Sequence, residues 1–109
     1  METRRDVFQA IADPTRRQIV SMIAHKSQNL NTIAENFDMS RQAISLHIKI
    51  LEECGLLDIE QKGRERICSV QPKKLAEVDA WLQPFRDLWE DKFQRLDKIL
   101  IQLKTDKNV

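Results

Sequence analysis

Residues 30–55 read LNTIAENFDMSRQAISLHIKILEECG, and they contain two apolar patterns separated by a polar break. The first pattern has the period of one helix face, and its members are Leu30, Ile33, Ala34 and Phe37. The second pattern has the same period, and its members are Ile44, Ile48 and Leu51. Between them, Asp38-Met39-Ser40 predicts a short turn, with Ser40 as the N-cap of the second helix. Gly55 predicts the end of that helix, because glycine readily adopts the left-handed conformation.

Two short helices joined by such a turn are typical of the helix-turn-helix, whose second helix enters the major groove of DNA. With its apolar residues facing inward, the second helix presents four candidates for base contacts: Arg41, Gln42, Ser45 and Leu46. Arginine pairs with guanine and glutamine with adenine, and an apolar side chain can touch the thymine methyl. Candidates for the DNA backbone are Thr32, Ser40 and Lys49. The alternative is that this polar face is an ordinary solvated helix surface.

Two further helices are predicted before residue 30. The first has an apolar face made of Val7, Phe8, Ile11 and Ala12. Asp13-Pro14 predicts the start of the second, since Asp caps a helix and proline suits its first position. This helix is expected to end near His25-Lys26. Arg16 and Arg17 in its first turn are either phosphate contacts or ordinary surface cations.

The hydrophobic period changes after Gly55. Residues 56–60 and 65–71 are short β-prone runs on either side of Gln61-Lys62-Gly63-Arg64, which predicts a two-stranded hairpin with a basic tip. Beside a recognition helix, its cations are candidates for the DNA backbone: Lys62, Arg64 and Arg66. The alternative is that they are ordinary charged residues of a hairpin.

From Pro72 onward the sequence predicts one long helix with an apolar stripe close to a heptad repeat. Pro84 lies inside this helix and is expected to kink or divide it. The stripe is larger than a small domain can cover, which predicts pairing with a second copy. The predicted interface comprises Val7, Phe8, Trp81, Phe85, Trp89, Phe93, Leu96 and Leu100. The alternative is that the whole stripe packs on its own domain.

The chain of 109 residues has the length of a single domain, here taken as 1–109. The predicted fold is mainly α with a small two-stranded β-hairpin, a winged helix-turn-helix with a long C-terminal dimerisation helix. The helix-turn-helix covers about 30–54, the wing about 56–71 and the dimerisation helix about 73–104. A net charge of +1 means that binding to a polyanion depends on placed residues rather than on bulk charge. Without a transmembrane or signal-type segment, the expected location is cytoplasmic.

The reactive side chains fit no familiar catalytic or metal-binding pattern. Cys54 and Cys68 form neither a disulfide framework nor a C-x-x-C pair, and the open alternatives are buried thiols or a redox switch. His47 is expected to be partly buried, with a base reader or metal ligand as the alternative. No catalytic residue, metal site or cofactor is predicted, and the chain is not expected to be an enzyme.

The combined motifs resemble the ArsR family of winged helix-turn-helix regulators across about residues 5–104. The resemblance is carried by residues 12–19, 39–51, 54–57 and the wing at 62–66. It implies a homodimer that usually represses transcription. The chain resembles in particular a branch of the family with a Trp-rich last helix, and that branch has no recognised metal site. The cysteines of the metal sensors are replaced here by residues 29–32, and residues 73–109 contain neither His nor Cys.

The predicted function is therefore a dimeric, sequence-specific DNA-binding regulator. It is expected to repress its own or a neighbouring operon by reading an inverted-repeat operator in the major groove. Its partners are double-stranded DNA and a second copy of the chain, and the sequence specifies no effector. The alternative is a winged-helix protein-interaction module without specific DNA binding.

Overall fold

The computed structural model describes residues 6–107, with side chains up to residue 105. The chain divides into two compact units, Met1–Val78 and Asp79–Val109. The elements in chain order are α1 (Val7–Ile11), α2 (Pro14–Ile23), β1 (Gln28–Asn29), α3 (Leu30–Glu35), α4 (Arg41–Glu53), β2 (Leu57–Lys62), β3 (Glu65–Val70), a 3-10 turn (Pro72–Lys74) and α5 (Leu75–Lys107).

The starts of α2 and α4 follow the predicted capping residues. The Asp13 carboxylate accepts a hydrogen bond from the Arg16 backbone N–H at 3.0 Å, and Pro14 occupies the first turn. The Ser40 hydroxyl oxygen accepts from the Ala43 N–H at 3.1 Å. Both bonds satisfy N–H groups that have no partner inside the helix. The end of α2 differs from the expectation, since the helix stops at Ile23 and the basic pair follows it outside.

The end of α4 confirms the role expected of Gly55, which has a φ of 78°. Its N–H donates to the Glu52 carbonyl at 3.0 Å, and the Leu56 N–H donates to the Leu51 carbonyl at 3.0 Å. This pair of bonds is a Schellman motif, which satisfies the last carbonyls of the helix. It also turns the chain sharply from α4 into β2, and so places the hairpin beside the helix.

The core of the first unit is built from the apolar faces predicted for the helices. Ile44, Ile48 and Leu51 of α4 are fully buried, as are Ile19 of α2 and Ile33 of α3. At about 25 cal/mol per Å² of buried apolar surface, such side chains each stabilise the fold by about 1.5–3 kcal/mol. Because one face of α4 is fixed in this core, the opposite face must point outward.

The sheet has three antiparallel strands in the order β1-β3-β2, where the sequence predicted two. β2 and β3 form the expected hairpin, called the wing below together with its turn. The additional strand β1 pairs Gln28 with Cys68 and Asn29 with Ile67. A strand of two residues is too short to show alternation, and its pairing depends on β3 almost forty residues later in the chain. The sequence therefore presented this segment only as a polar break.

Two expectations for the apolar helices need correction. Val7 is 1% exposed and belongs to the core of the first unit, because α1 turns Val7 and Ala10 inward together. Its side chain is thus not available to a second copy, whereas the neighbouring Phe8 is 37% exposed. Of the kink or division expected at Pro84, division does not occur, since α5 continues as one helix of 33 residues. Proline removes one N–H donor, and the remaining bonds of such a long helix hold its two parts together.

Among residues 6–107, no helix has the length and apolar character needed to cross a membrane.

Candidate nucleic-acid interface

The outward face of α4 carries the residues predicted for base contacts. Arg41, Gln42 and Lys49 are exposed and Ser45 is partly exposed. Leu46 is 60% exposed, which is unusual for a leucine beside a well-packed core. A polar helix face with one protruding apolar side chain has the chemistry needed to contact both base edges and a thymine methyl.

A groove of about 490 Å³ joins this helix face to the wing. The residues that line it come from the start of α3, from α4 and from the wing: Asn29, Leu30, Asn31, Arg41, Gln42, Ser45, Arg64 and Arg66. Three of these side chains are guanidinium groups and none is a carboxylate. The groove is therefore a positively charged channel with amide and hydroxyl groups on its walls, which suits an anionic backbone.

An adjoining groove of about 440 Å³ contains the next turn of the same helix face. Leu46 and Lys49 line it, and Gln42, Ser45 and Arg66 line both grooves. The two grooves together bring seven of the ten predicted DNA contacts to one side of the first unit, and all seven belong to α4 or the wing.

Strand alternation explains which wing residues face α4. Arg66 lies on the same face of β3 as the buried Cys68, because side chains two residues apart share a face. That face is turned toward the core and, nearer the tip, toward the exposed side of α4. Lys62 lies on the other face, directly opposite Glu65. Arg64 belongs to the two-residue turn, which begins at Gly63 with a φ of 63°.

Three of the predicted backbone contacts lie outside both grooves. Thr32, Ser40 and Lys62 are exposed but do not line them. The Ser40 hydroxyl oxygen already caps α4, and the Thr32 backbone carbonyl accepts from the Asn36 side chain at 2.7 Å. Their roles as DNA contacts remain predictions.

The sequence analysis did not identify Asn29 and Asn31 as groove residues. The Asn29 side chain accepts from the Asn31 N–H at 2.8 Å and so caps α3. The available signal was an Asn directly before an apolar helix pattern, which is a preferred N-cap. Pairing of β1 with β3 then carries this cap to the wing.

Arg16 and Arg17 are engaged with the protein's own backbone. Arg17 Nη1 donates to the carbonyls of Ile11 at 2.7 Å and Ala12 at 3.2 Å. Arg16 donates from Nε to the Ala10 carbonyl at 2.7 Å and from Nη2 to the Gln9 carbonyl at 3.0 Å. The two guanidinium groups thus bind carbonyls in the last turn of α1 and at its C-cap, Ala12.

His47 lies on the inner side of α4, and its side chain is 18% exposed, which confirms the expected partial burial. Its Nδ1 lies 3.3 Å from Arg16 Nη1 and 4.0 Å from Asp13 Oδ2. Partial burial acts to raise the pKa of Asp13. The hydrogen bond from the Arg16 N–H and the neighbouring positive charges outweigh it, so this pKa lies below its ordinary value of 3.8.

Both cysteines are buried, and they are thiols rather than halves of a disulfide. Burial, together with the negative charge of Glu52, raises the pKa of Cys68 to about 11. A thiol in that state is protonated near neutral pH and is a poor nucleophile and metal ligand. Within the described residues, no group of three or more His, Cys, Asp and Glu side chains is placed to hold a metal ion.

Residues 13–58, which run from the cap of α2 into β2, match the family described as bacterial regulatory protein, arsR family. The transcriptional repressor SdpR of Bacillus subtilis is 32% identical over 80 residues, or 73% of this chain and 89% of that protein. An HTH-type transcriptional regulator of Mycobacterium tuberculosis is 35% identical over 78 residues, or 72% of this chain and 73% of that protein.

Solved structures agree with these sequence matches. The crystal structure of an ArsR family transcriptional regulator is 35% identical, with a TM-score of 0.68 over 76% of this chain and 86% of that one. A homodimeric winged helix-turn-helix domain from Mycobacterium bovis has a TM-score of 0.58 and 23% identity, and covers 72% of this chain and 73% of its own. The fold is therefore a winged helix-turn-helix, in which α3 and α4 form the helix-turn-helix and β2 and β3 the wing.

Proposed function

The chain belongs to the ArsR family of bacterial regulatory proteins, and we propose that it is a dimeric repressor of its own or a neighbouring operon. The family consists of transcriptional regulators, so this chain is a regulator with a winged helix-turn-helix DNA-binding domain and is not an enzyme. The proposal concerns the operator, the contacts and the sense of regulation. Repression is favoured by the similarity to SdpR, which is itself a transcriptional repressor.

The observation that carries the proposal is the arginine-lined groove between α4 and the wing. A helix of 13 residues is about 20 Å long, which suits insertion into a major groove about 12 Å wide. In this arrangement Arg41, Gln42 and Ser45 would meet base edges, while Arg64 and Arg66 would contact the flanking phosphates. Lys49 would contact the backbone from the next turn of the helix.

The proposed dimer is supported by the apolar side chains that α5 leaves exposed within the second unit. These side chains are Trp81, Phe85, Leu88, Trp89, Phe93, Leu96, Ile99, Leu100, Ile101 and Leu103. Exposed apolar surface on this scale marks an interaction site in a soluble domain. The winged-helix domain of Mycobacterium bovis is homodimeric, and we propose the same state for this chain.

The charges of α5 favour an antiparallel pairing of two copies. Residues 79–91 contain four carboxylates and one arginine, a net charge of −3. Residues 92–104 contain four cations and one carboxylate, a net charge of +3. In an antiparallel pair each acidic half would meet the partner's basic half, whereas a parallel pair would place like charges together. A two-fold axis of this kind would present two α4 helices to the two half-sites of an inverted repeat.

The proposal is tested by titrating the protein into labelled duplex DNA from the region upstream of its own gene. A scrambled duplex of equal length is the control, with fluorescence anisotropy followed at about 150 mM salt. We expect tight binding to the upstream duplex only. The R41A variant should lose discrimination between the duplexes, whereas K49A should weaken binding to both.

Two outcomes would contradict the proposal. If R41A loses affinity equally for the two duplexes and so keeps the discrimination of the unmodified protein, Arg41 does not take part in base recognition. A monomer that binds neither duplex would favour the protein-interaction module.

The cytoplasmic location expected from the sequence stays a prediction, and it follows from DNA as the partner.

A further inference from the structure

We propose that Arg16 is a positioning residue for DNA recognition, because its guanidinium group joins the end of α1 to His47 of the recognition helix. Three contacts in three directions carry the proposal. Nε and Nη2 hold the Ala10 and Gln9 carbonyls at 2.7 and 3.0 Å, and Nη1 lies 3.3 Å from His47 Nδ1. The inference rests on the proposed function, since it assigns to Arg16 the placement of the base-contacting face of α4.

Only an arginine can make this set of contacts. Its planar group presents five N–H donors in a fixed fork, so one side chain serves acceptors on α1 and α4 together. A lysine at residue 16 would keep the positive charge but would present a single nitrogen. The side chain is partly buried, so the geometry is set by the surrounding protein rather than by solvent.

The contact also assigns a role to a nitrogen of the recognition helix. A guanidinium group is only a donor, so His47 Nδ1 is the acceptor in this contact. His47 directly follows Leu46 and lies within the helix that carries Gln42 and Ser45. A shift of the ring toward or away from α2 would therefore move the whole base-contacting face.

The first test compares R16K with R17K. Arg17 contacts the same end of α1 but not α4, so R17K is a matched control for effects on α1 alone. The measured quantity is the ratio of affinities for the upstream and scrambled duplexes at about pH 7.5. We expect R16K to lower this ratio by about tenfold, comparable to one lost base contact, and R17K to change it by less than about twofold.

The second test changes the partner of Arg16 on α4 and measures the same ratio at about pH 7.5. A glutamine amide at residue 47 can accept from Arg16 Nη1, whereas an alanine side chain cannot. We expect H47Q to change the ratio by less than about twofold and H47A to lower it by about tenfold.

The outcomes separate this inference from the function on which it rests. If the unmodified protein does not distinguish the duplexes at pH 7.5, the proposed function fails. If it does, an unchanged ratio in R16K, or equal ratios in H47A and H47Q, overturns the role of Arg16. Should R16K prove unfolded by circular dichroism, the comparison of H47A with H47Q decides alone.

Discussion

Cys68 illustrates how burial determines the chemistry of a single residue. It lies in the middle of β3, opposite Ile59 and Gln28, and burial with the nearby charge of Glu52 raises the pKa of its thiol to about 11. Since the ordinary value is 9.0, deprotonation favours the unfolded chain. The contribution of this thiol to the free energy of unfolding is thus fully present below about pH 9 and is lost as the pH rises through about 11.

We therefore expect the free energy of unfolding of the native sequence to fall by about 2 kcal/mol more than that of C68A between about pH 8 and 10.5. Urea titrations at both pH values measure this difference, and C68A accounts for the lysines that titrate in the same range. An equal fall in the two proteins would show that Cys68 does not titrate with a raised pKa. In the native protein near pH 8, iodoacetamide should also label Cys68 more slowly than in urea.

The sequence predicts which side chains of a helix are buried and which are exposed, but it does not predict which polar groups bind one another. The helical period was sufficient to bury Ile44 and Ile48 and to expose Arg41. The acceptors of Arg16 lie 6 and 7 residues before it and 31 residues after it, at distances set by the turn between α1 and α2 and by the packing of α4. No local pattern encodes such a set, so Arg16 looked like a surface cation.

At the level of elements, the helices and the hairpin follow from local signals, because period, cap and turn residues act within a few positions of one another. The turn at Gly63 and the helix end at Gly55 are of this kind. β1 is not, because two residues become a strand only when β3 lies beside them. The groove between α4 and the wing likewise requires the tertiary fold, although most of its residues were identified as DNA contacts beforehand.

The two faces of the wing lead to a prediction about this element. Arg66 lines both grooves beside α4, whereas Lys62 lies on the opposite face of the hairpin across from Glu65. We expect R66A to weaken binding to both duplexes and to reduce the slope of log affinity against log salt by about 1, the value for one phosphate contact. K62A should have a smaller effect on both quantities, and it serves as the charge-matched control. Equal effects of the two variants would contradict the assignment of the wing faces.

At the level of the whole molecule, the segregated charges of α5 predict how the dimer responds to salt and to charge reversal. If acidic and basic halves meet across the interface, salt screens an attraction and the dimer weakens as salt rises. Reversing two cations of the basic half in K92E/K98E should weaken the dimer by about tenfold, since each exposed pair contributes roughly 0.2–1 kcal/mol and occurs twice in a symmetric dimer. Sedimentation equilibrium at low and high salt measures both effects.

A compensating variant distinguishes the two possible orientations of the helices. Adding D87K/E90K to K92E/K98E makes the first half of α5 positive and the second half negative, so an antiparallel pair regains its complementary charges. We expect the fourfold variant to dimerise more tightly than K92E/K98E. A parallel pair would instead place like charges together in every variant, and its dimer would tighten as salt rises. Neither substitution pair removes the ion pairs of Arg86 with Asp79 or of Arg95 with Asp91, so the helix content of α5 is expected to stay the same. Circular dichroism checks this. If neither charge reversal changes the affinity of the dimer, only the apolar face of α5 holds the dimer together. The antiparallel arrangement would then have no electrostatic basis.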